Sequence, residues 1–339
     1  MRQPSPDFSI TNDGTPLTSK VLPRLISLTI TECRGDEADM LDLVLDDSDG
    51  KLALPSKGAV LAVSMGWAGA PLVDKGTFTV DEVEHSGAPD IITVRARSAS
   101  MTKGMGERNE KSWHKLTLAD IIKTIAGKHD LTPTVDDALG KIAIPHIDQT
   151  HESDMSFLTR LAKRHDAVMT VKEGRLLFLP IGAGVTVSGK PLPVVAIERS
   201  SGDQHRYHAA AREHYDGVRA YWHDGGKGRR KTVYVGGENG RNLKTLPEVY
   251  PTKDEAIREA TSELQRIKRG AATLDYTLAL GRPEIRPELG ATVRGFKPEI
   301  DGADWLVERA THTIADGGLV TNLSLEHGNP KAESSDSTE

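Results

Sequence analysis

The sequence predicts an α+β protein that is mainly β, with two related β-barrel domains placed around an α+β middle domain. Three observations predict this class. Apolar residues alternate with period two in residues 1–105 and again in 183–330, as they do in half-buried strands. A capped helix runs into a β-hairpin between Asp148 and Pro180, and an eight-residue pattern of the first β region recurs in the last one, which indicates a duplicated unit.

The composition is that of a globular protein with room for two or three domains. Its 339 residues are 37% hydrophobic and only 4% aromatic, so the cores must be mainly aliphatic. The net charge of −6 argues against a dedicated nucleic-acid-binding protein, and we expect no specific nucleic-acid binding. The single cysteine, Cys33, excludes an intramolecular disulfide and a cysteine-cluster zinc site, and is typical of a small core residue.

Targeting and membrane segments are not predicted. No stretch approaches the roughly 18 consecutive apolar residues of a membrane span, and the N-terminal residues lack the apolar core of a signal peptide. We therefore expect a soluble protein that is made in a cytoplasm and does not insert into a membrane.

Residues 1–105 are predicted to form the first barrel domain. The apolar faces of its five strands are Ile26, Leu28 and Ile30; Leu41, Leu43 and Leu45; Ala59, Leu61, Val63 and Met65; Phe78 and Val80; and Ile92, Val94 and Ala96. Val83 lies one step out of phase with Val80, which predicts a β-bulge. The segment Asp47–Gly50 predicts a hairpin turn, because a calcium loop would need ligands at positions that Leu45 and Ser56 occupy.

Residues 106–182 are predicted to form the α+β middle domain. Thr117 and Asp120 form a capping box ahead of a helix, whose apolar stripe is Leu118, Ile121, Ile122 and Ile125. Ser153 is the predicted N-cap of a second helix, whose apolar residues are Phe157, Leu158, Leu161 and Ala162. Asp154 at its start and Lys163 and Arg164 at its end complement the helix dipole. Two short strands, 167–171 and 176–179, follow as a hairpin.

Residues 183–330 are predicted to form the second barrel domain, with one inserted helix. Thr252 and Glu255 form its capping box and Gly270 ends it; its narrow apolar stripe is Ile257, Ala260, Leu264 and Ile267. A strand with Leu274, Tyr276, Leu278 and Leu280 on one face follows. The glycine-rich segments 104–106 and 182–184 are interpreted as linkers, and residues 331–339 as a disordered tail.

The repeated octet is the main sign that the two β regions are related. Phe78–His85 in the first region and Trp305–His312 in the last both run aromatic, any residue, Val, acid, then a small apolar residue two positions on, and His at the end. A Gly-Ala pair precedes each octet, at Gly58 and Gly290, and an alternating strand follows each one. One barrel used twice explains the pattern, and chance similarity between two strand pairs is the alternative.

No catalytic, cofactor-binding or metal-binding residue is predicted. His151 and Glu152 begin like a metalloprotease motif, but Met155 stands where the second His is required. The pairs His129-Asp130 and His165-Asp166 lie at predicted helix ends, where they are interpreted as dipole partners rather than metal ligands. The basic segment 225–231 is interpreted as a solvated hairpin loop, with contact to an anionic partner or to passing DNA as the alternative.

Several separated motifs resemble the phage late control D family, the tail hub proteins of contractile-tailed phages. The segment 148–162 (DQTHESDMSFLTRLA) is similar to the family signature Q-T-x-E-S-D-x-x-F-L-x-R-L-A, and the segments 24–29, 41–54, 75–82 and 110–114 also resemble the family. The resemblance extends from about Pro6 to Leu325.

The resemblance implies a structural baseplate hub without enzymatic activity or cofactors. It implies a homotrimer, assembled in the host bacterial cytoplasm, that adapts the hexameric tail tube to the trimeric spike through two tube-like barrels in each copy. The implied partners are the tail spike, tube and tape-measure proteins and other baseplate proteins. Type VI secretion spike proteins share the hub fold but continue into a β-helix; because this chain ends at Glu339, the spike is expected to be a separate protein.

Two alternatives stay open at this stage. The hub could belong to an R-type bacteriocin or another phage-derived injection particle, which neighbouring genes would distinguish from a phage. A protein of another class, a peptidoglycan-binding or peptidoglycan-degrading tail component, is suggested by a loose similarity of residues 116–126 to a LysM helix. An amphipathic helix packed on the middle sheet explains the same residues.

Overall fold

The computed structural model describes residues 4–35, 37–98, 104–172, 174–186, 190–209, 215–225, 228–237 and 242–328. The first region contains β1 (Pro6–Asn12), β2 (Thr15–Pro16), α1 (Thr18–Val21), β3 (Leu25–Cys33), β4 (Met40–Asp46), β5 (Val60–Trp67), β6 (Val73–Ser86) and β7 (Ile91–Ser98). The middle region contains β8 (Arg108–Thr117), α2 (Leu118–Lys128), β9 (Thr132–Val135), α3 (Asp137–Gly140), β10 (Ala143–Ser153), α4 (Asp154–Arg164), β11 (Ala167–Lys172) and β12 (Arg175–Pro180). The last region contains β13 (Val195–Glu198), β14 (Gly202–Ala209), β15 (Gly217–Asp224), β16 (Arg229–Gly236), β17 (Leu243–Tyr250), α5 (Lys253–Gly270), β18 (Ala272–Leu278), β19 (Gly290–Arg294), α6 (Pro298–Asp301), β20 (Trp305–Ala315) and β21 (Gly318–His327). The predicted tail 331–339 lies outside the described residues.

The two outer β regions share one sheet, which confirms the mainly β, α+β class but corrects the two closed barrels. Thirteen strands pair in the order β14-β18-β21-β20-β3-β4-β7-β6-β5-β1-β2, with β13 and β19 attached at the side of β20. Strand β20 explains why neither half closes in the described chain. It pairs with β21 along one edge, while its other edge pairs first with β19 and then, from Arg309 to Ala315, with β3. The edge that could complete a barrel joins the two regions instead.

The predicted apolar faces of the first region are largely confirmed. Its core contains the predicted residues of β4, β5 and β7 together with Ile314 and Leu319 from the β20–β21 hairpin. Ile26 is an exception at 42% exposure, because the pairing of β3 with β4 shifts register between Leu25 and Ser27. The segment Asp47–Gly50 is a turn but not a hairpin, because β4 pairs with β3 and β7 rather than with β5.

The repeated octets occupy equivalent places in the sheet. Phe78 and Trp305 are both buried, and each octet contains a register shift directly after its valine, between Val80 and Glu82 in β6 and between Val307 and Arg309 in β20. The first shift confirms the predicted bulge. Because the chain bends at the same position in both octets, the hairpins β6–β7 and β20–β21 have the same local geometry.

Backbone hydrogen bonds correct the alignment of the residues ahead of the octets. The Gly58 nitrogen donates to the Val80 oxygen at 2.8 Å, and the Glu288 nitrogen donates to the Val307 oxygen at 2.9 Å. Gly58 therefore corresponds to Glu288, two residues before the predicted Gly290. Both have left-handed backbones, with φ of +86° at Gly58 and +71° at Glu288. A glutamate thus occupies a conformation that favours glycine.

This correspondence predicts that glycine is more stable than alanine at both positions. Gly58→Ala should lower the free energy of unfolding by about 1 kcal/mol, because a left-handed backbone disfavours a Cβ by roughly 1–2 kcal/mol, while the added carbon meets no heavy atom within 4 Å. Glu288→Gly should be more stable than Glu288→Ala by a similar ~1 kcal/mol, since both lose the carboxylate but only glycine relieves the backbone. Denaturant unfolding of the three variants measures this; equal stability of the two Glu288 variants contradicts it.

The middle region packs its helices on its own small sheets. The predicted capping box is confirmed, since the Thr117 Oγ1 accepts from the Asp120 nitrogen at 3.2 Å and the Asp120 carboxylate accepts from the Thr117 nitrogen at 3.0 Å. The apolar stripe of α2 lies in a core that also contains Phe157, Leu158, Leu161 and Ala162 of α4. The helix that suggested a LysM similarity therefore directs its apolar face inward.

The insertion in the last region is larger than the single helix predicted. Helix α5 packs on a three-stranded sheet, ordered β16-β15-β17, and the two share a separate core that includes Ala256, Ala260 and Leu264. The predicted strand after it is confirmed as β18, although Leu280 lies beyond its end and is 59% exposed. The basic segment 225–231 lies at the turn between β15 and β16, as predicted, except that residues 226 and 227 are outside the described chain.

Candidate functional site

The polar residues of the 148–162 segment form a buried cluster at the start of α4. Gln149 and Asp154 are 1% and 3% exposed. One Asp154 oxygen accepts from the Gln149 side chain at 2.8 Å and from Asn109 at 3.3 Å. The other accepts from the Lys128 ammonium at 2.8 Å and lies 2.8 Å from the His129 Nε2. This signature cluster, defined by these five residues, joins the end of α2 to the start of α4.

The hydrogen bonds decide the charge state of Asp154. Burial by itself raises the pKa of this carboxyl group, but donation from Gln149, Lys128 and His129 outweighs burial and holds the pKa below its ordinary value. Ser153 is the N-cap as predicted, its hydroxyl accepting from the Ser156 nitrogen at 3.1 Å. Asp154 is therefore an ionised acceptor that holds two helices together, a larger role than the dipole partner expected from the sequence.

The remaining residues that suggested chemistry have separate environments. His151 lies at the register shift between β10 and β8, is exposed, and contacts Glu110 at 2.9 Å. Glu152 pairs with Arg160 at 2.8 Å. The structure thus gives each residue a different local partner and does not bring them together. The described residues contain no group of three or more His, Cys, Asp or Glu side chains that could hold a metal ion.

His165 corrects the predicted role of the residues at the end of α4. Burial, together with the positive charges of Arg164 and Arg258, lowers the pKa of His165 to about 4. A neutral imidazole supplies no positive charge to the helix dipole at neutral pH. The prediction of a dipole partner is therefore wrong for His165. The main cause is its burial in the folded protein, to which the positive charges of Arg164 and Arg258 add.

Asp166 instead begins a series of buried ion pairs between the three regions. Its carboxylate binds Arg269, a residue of α5 that is 2% exposed, with one oxygen at 2.6 Å. Arg269 also lies 3.2 Å from Glu326 of β21. Arg34, which follows β3, lies 2.6 Å from Glu326 and 2.6 Å from Glu288. We call Asp166, Arg269, Glu326, Arg34 and Glu288 the junction ion pairs.

The junction ion pairs explain the unusual backbone at Glu288. The Glu288 carboxylate accepts from the Gly182 nitrogen at 2.7 Å as well as pairing with Arg34, so it ties the end of the middle region to the last one. Burial raises the pKa of Glu288 and of Glu326, while Arg34 and Arg269 oppose that rise. The favourable contacts of the carboxylate thus offset the strain of its left-handed conformation.

A second buried cluster joins β3 to β6 and β20. The Lys75 ammonium lies 2.6 Å from the Glu32 carboxylate, and the His312 Nε2 lies 3.2 Å from the same oxygen. Burial raises the pKa of Glu32, but the hydrogen bond from His312 and the charge of Lys75 overcome it and lower the pKa to about 2. Glu32 therefore stays ionised and holds the interface between the two β regions.

These polar contacts hold elements of the three regions in place. The junction ion pairs border a cleft of about 500 Å³, and the groove beside His151 encloses about 700 Å³.

In the described chain, no helix has both the length and the apolar character needed to span a membrane. Sequence patterns did not indicate Arg34, Arg269, Glu288 or Glu326, because no local pattern predicts an ion pair between residues that are more than fifty positions apart.

The comparisons with known proteins agree with one another. The family described as "Phage tail baseplate hub (GPD)" matches residues 28–318. Probable baseplate hub proteins of Escherichia phage 186 and Escherichia phage P2 are each 42% identical to this chain, over 95% of it and 93% of the relative.

Solved structures extend the likeness to the fold. The 43 kDa tail protein of prophage MuSo2 from Shewanella oneidensis has a TM-score of 0.67 at 17% identity, over 95% of this chain and 98% of that one. The tail protein from Neisseria meningitidis MC58 has a TM-score of 0.68 at 14% identity, over 95% and 96%. With the sequence match spanning most of the chain and the fold match nearly all of it, the chain belongs to the phage tail baseplate hub (GPD) family.

Proposed function

We propose that three copies of this baseplate hub form a ring that joins the hexameric tube of a contractile tail to its trimeric spike. In this arrangement each copy presents two related β regions. The middle region separates them, with boundaries near residues 105 and 182 as expected from the sequence. Three copies then offer six similar units to the hexameric tube, while the three-fold symmetry of the ring matches the trimeric spike. The chain works as a structural adaptor without catalysis, and it assembles in the host cytoplasm.

The equivalent octets carry this proposal. Strands β6 and β20 have the same buried aromatic position and the same bulge after a valine. Each valine also makes the same pair of backbone hydrogen bonds, to the two residues directly ahead of β5 or β19. A ring of three copies can meet a six-fold partner only if each copy supplies two similar surfaces. The remaining proposed partners are the tape-measure protein and other baseplate proteins. The channel is proposed to be neutral or mildly acidic, in keeping with the net charge of −6, so that it does not retain DNA.

Light scattering after size-exclusion chromatography tests the ring. Three chains of 36.7 kDa give about 110 kDa, which we expect for the protein alone at high concentration. In a mixture with the spike protein we expect a complex of about 110 kDa plus the mass of the spike. The mixture is the more sensitive sample, because a partner that binds only the assembled form stabilises it. A mass of one chain in both samples, with no complex formed, contradicts the proposal.

A further inference from the structure

The exposed face of the β8–β10 ribbon carries a histidine pair that the hub function does not use. The two strands are antiparallel, and Trp113 and Ile147 direct their side chains into the core of the middle region. His114 and His146 are exposed and lie directly opposite each other in the register. Their positions on adjacent strands hold the two imidazoles side by side.

The distances between these groups are short and ordered. The two Nδ1 atoms are 3.0 Å apart, and the ring centroids are 4.6 Å apart. The His146 Nε2 lies 3.1 Å from the Asp148 carboxylate, which accepts from the Ser112 hydroxyl at 2.6 Å through its other oxygen. Ser112 donates its hydroxyl proton to Asp148, so the carboxylate is an acceptor.

The acceptor fixes which nitrogen of His146 carries the proton. Because Asp148 can only accept, His146 donates through its Nε2, and its Nδ1 presents a lone pair towards His114. A carboxylate that orients a histidine in this way is the usual second partner of a metal-bound imidazole. Ser112 holds the carboxylate in turn, so the lone pair of His146 is oriented by two successive hydrogen bonds.

The spacing of the two nitrogens is close to that of two ligands on one ion. Zinc binds imidazole nitrogen at about 2.0–2.1 Å in tetrahedral geometry, which places two such nitrogens roughly 3.3 Å apart. The stacked rings must open for both lone pairs to converge. The exposed His114 ring turns, while Asp148 keeps His146 in place. The proton on the His114 Nδ1 moves to its Nε2 through solvent, so the neutral pair releases no net proton.

We propose that His114 and His146 form a two-histidine site for a divalent transition metal such as Zn²⁺, with Asp148 as the orienting residue. Imidazole nitrogen favours zinc, copper and nickel over magnesium and calcium. The described chain supplies no third side chain for a metal group, so water completes the coordination. The site lies on the face of the ribbon opposite the core, and it is independent of the ring proposed above.

Calorimetric titration of the untagged, chelator-treated full chain with ZnCl₂ tests the site. We expect one Zn²⁺ per chain for the wild type and no response to MgCl₂. His114→Ala and His146→Ala should each lower the affinity at least about tenfold, and Asp148→Asn should lower it roughly 10–100-fold, as for other residues that orient a metal ligand. The three side chains are exposed, so thermal melting in the presence of chelator should be the same for all variants.

His151→Ala is the matched control. His151 lies on the same strand as His146, is also exposed and contacts Glu110 rather than the pair, so its variant should bind Zn²⁺ like the wild type. Two results overturn the proposal. The wild type could give no saturable heat with Zn²⁺, which would leave a simple hydrogen bond between the histidines; or the double variant His114→Ala/His146→Ala could bind as tightly as the wild type, which would place the ion elsewhere.

Discussion

Replacing Arg269 with alanine is expected to lower the free energy of unfolding by about 3–5 kcal/mol, the usual cost of removing one partner from a buried ion pair. Arg269 is 2% exposed and contacts the carboxylates of Asp166 and Glu326. Its loss leaves two acids close together in a buried place, where burial already raises the pKa of Glu326. The effect should be greatest where α5, β21 and the end of α4 meet.

Arg266→Ala is the matched control for this prediction. It lies one turn earlier in α5, pairs with Glu263 and donates to the Lys163 carbonyl at 2.6 Å, but 49% of its side chain is exposed. An exposed pair of this kind contributes about 0–1 kcal/mol. Because a chain with several separate cores need not unfold in one step, amide hydrogen exchange should accompany denaturant unfolding. Equal losses for the two variants, or no faster exchange in α5 and β21 of Arg269→Ala, would show that the junction ion pairs do not hold the regions together.

Local patterns predicted the elements, and long-range contacts decided how they pair. Leu41, Leu43 and Leu45 alternate within one strand, so their burial follows from the period of a strand and needs no partner. The pairing of β20 with β3 depends on contacts such as that between the hydroxyls of Thr29 and Thr313, 3.2 Å apart and 284 positions apart in sequence. No period within either strand contains that information, so the barrels were expected to be separate.

The candidate site shows the same limit. The capping role of Ser153 was predicted because an N-cap acts on nitrogens two or three residues away. The charge of His165 depends first on its burial between elements that are distant in sequence, and then on Arg164 and Arg258. The conformation of Glu288 depends on Arg34 and Gly182. One signal was available in the repeat: the first octet predicted a bulge from its change of phase, and the second octet implies the same bulge after Val307.

The signature cluster gives the other large effect, and Asp154→Ala is expected to cost about 3 kcal/mol or more. The change removes the shared acceptor of the His129 ring and of the Gln149 amide, which keeps only its bond to the Glu152 carbonyl. Each buried polar group that loses its partner costs about 1–3 kcal/mol. Asp154→Asn should lose most of this as well, because an amide nitrogen would face the donors of Lys128 and His129. Asp120→Ala, an exposed capping-box residue of α2, should cost only about 0.5–2 kcal/mol.

The free energy of unfolding measured at acid pH separates the contribution of the Asp154 charge from that of its packing. Its pKa in the folded protein lies below the ordinary value of 3.8, so its contribution is present above that pH and is lost as the pH falls through the lower folded value. Wild type and Asp154→Ala should therefore differ most at neutral pH and converge below about pH 3.8, while His165 weakens both proteins equally between its ordinary pKa and about 4. A difference that stays constant down to pH 2 in urea unfolding would mean that shape, and not the ionised carboxylate, joins α2 to α4.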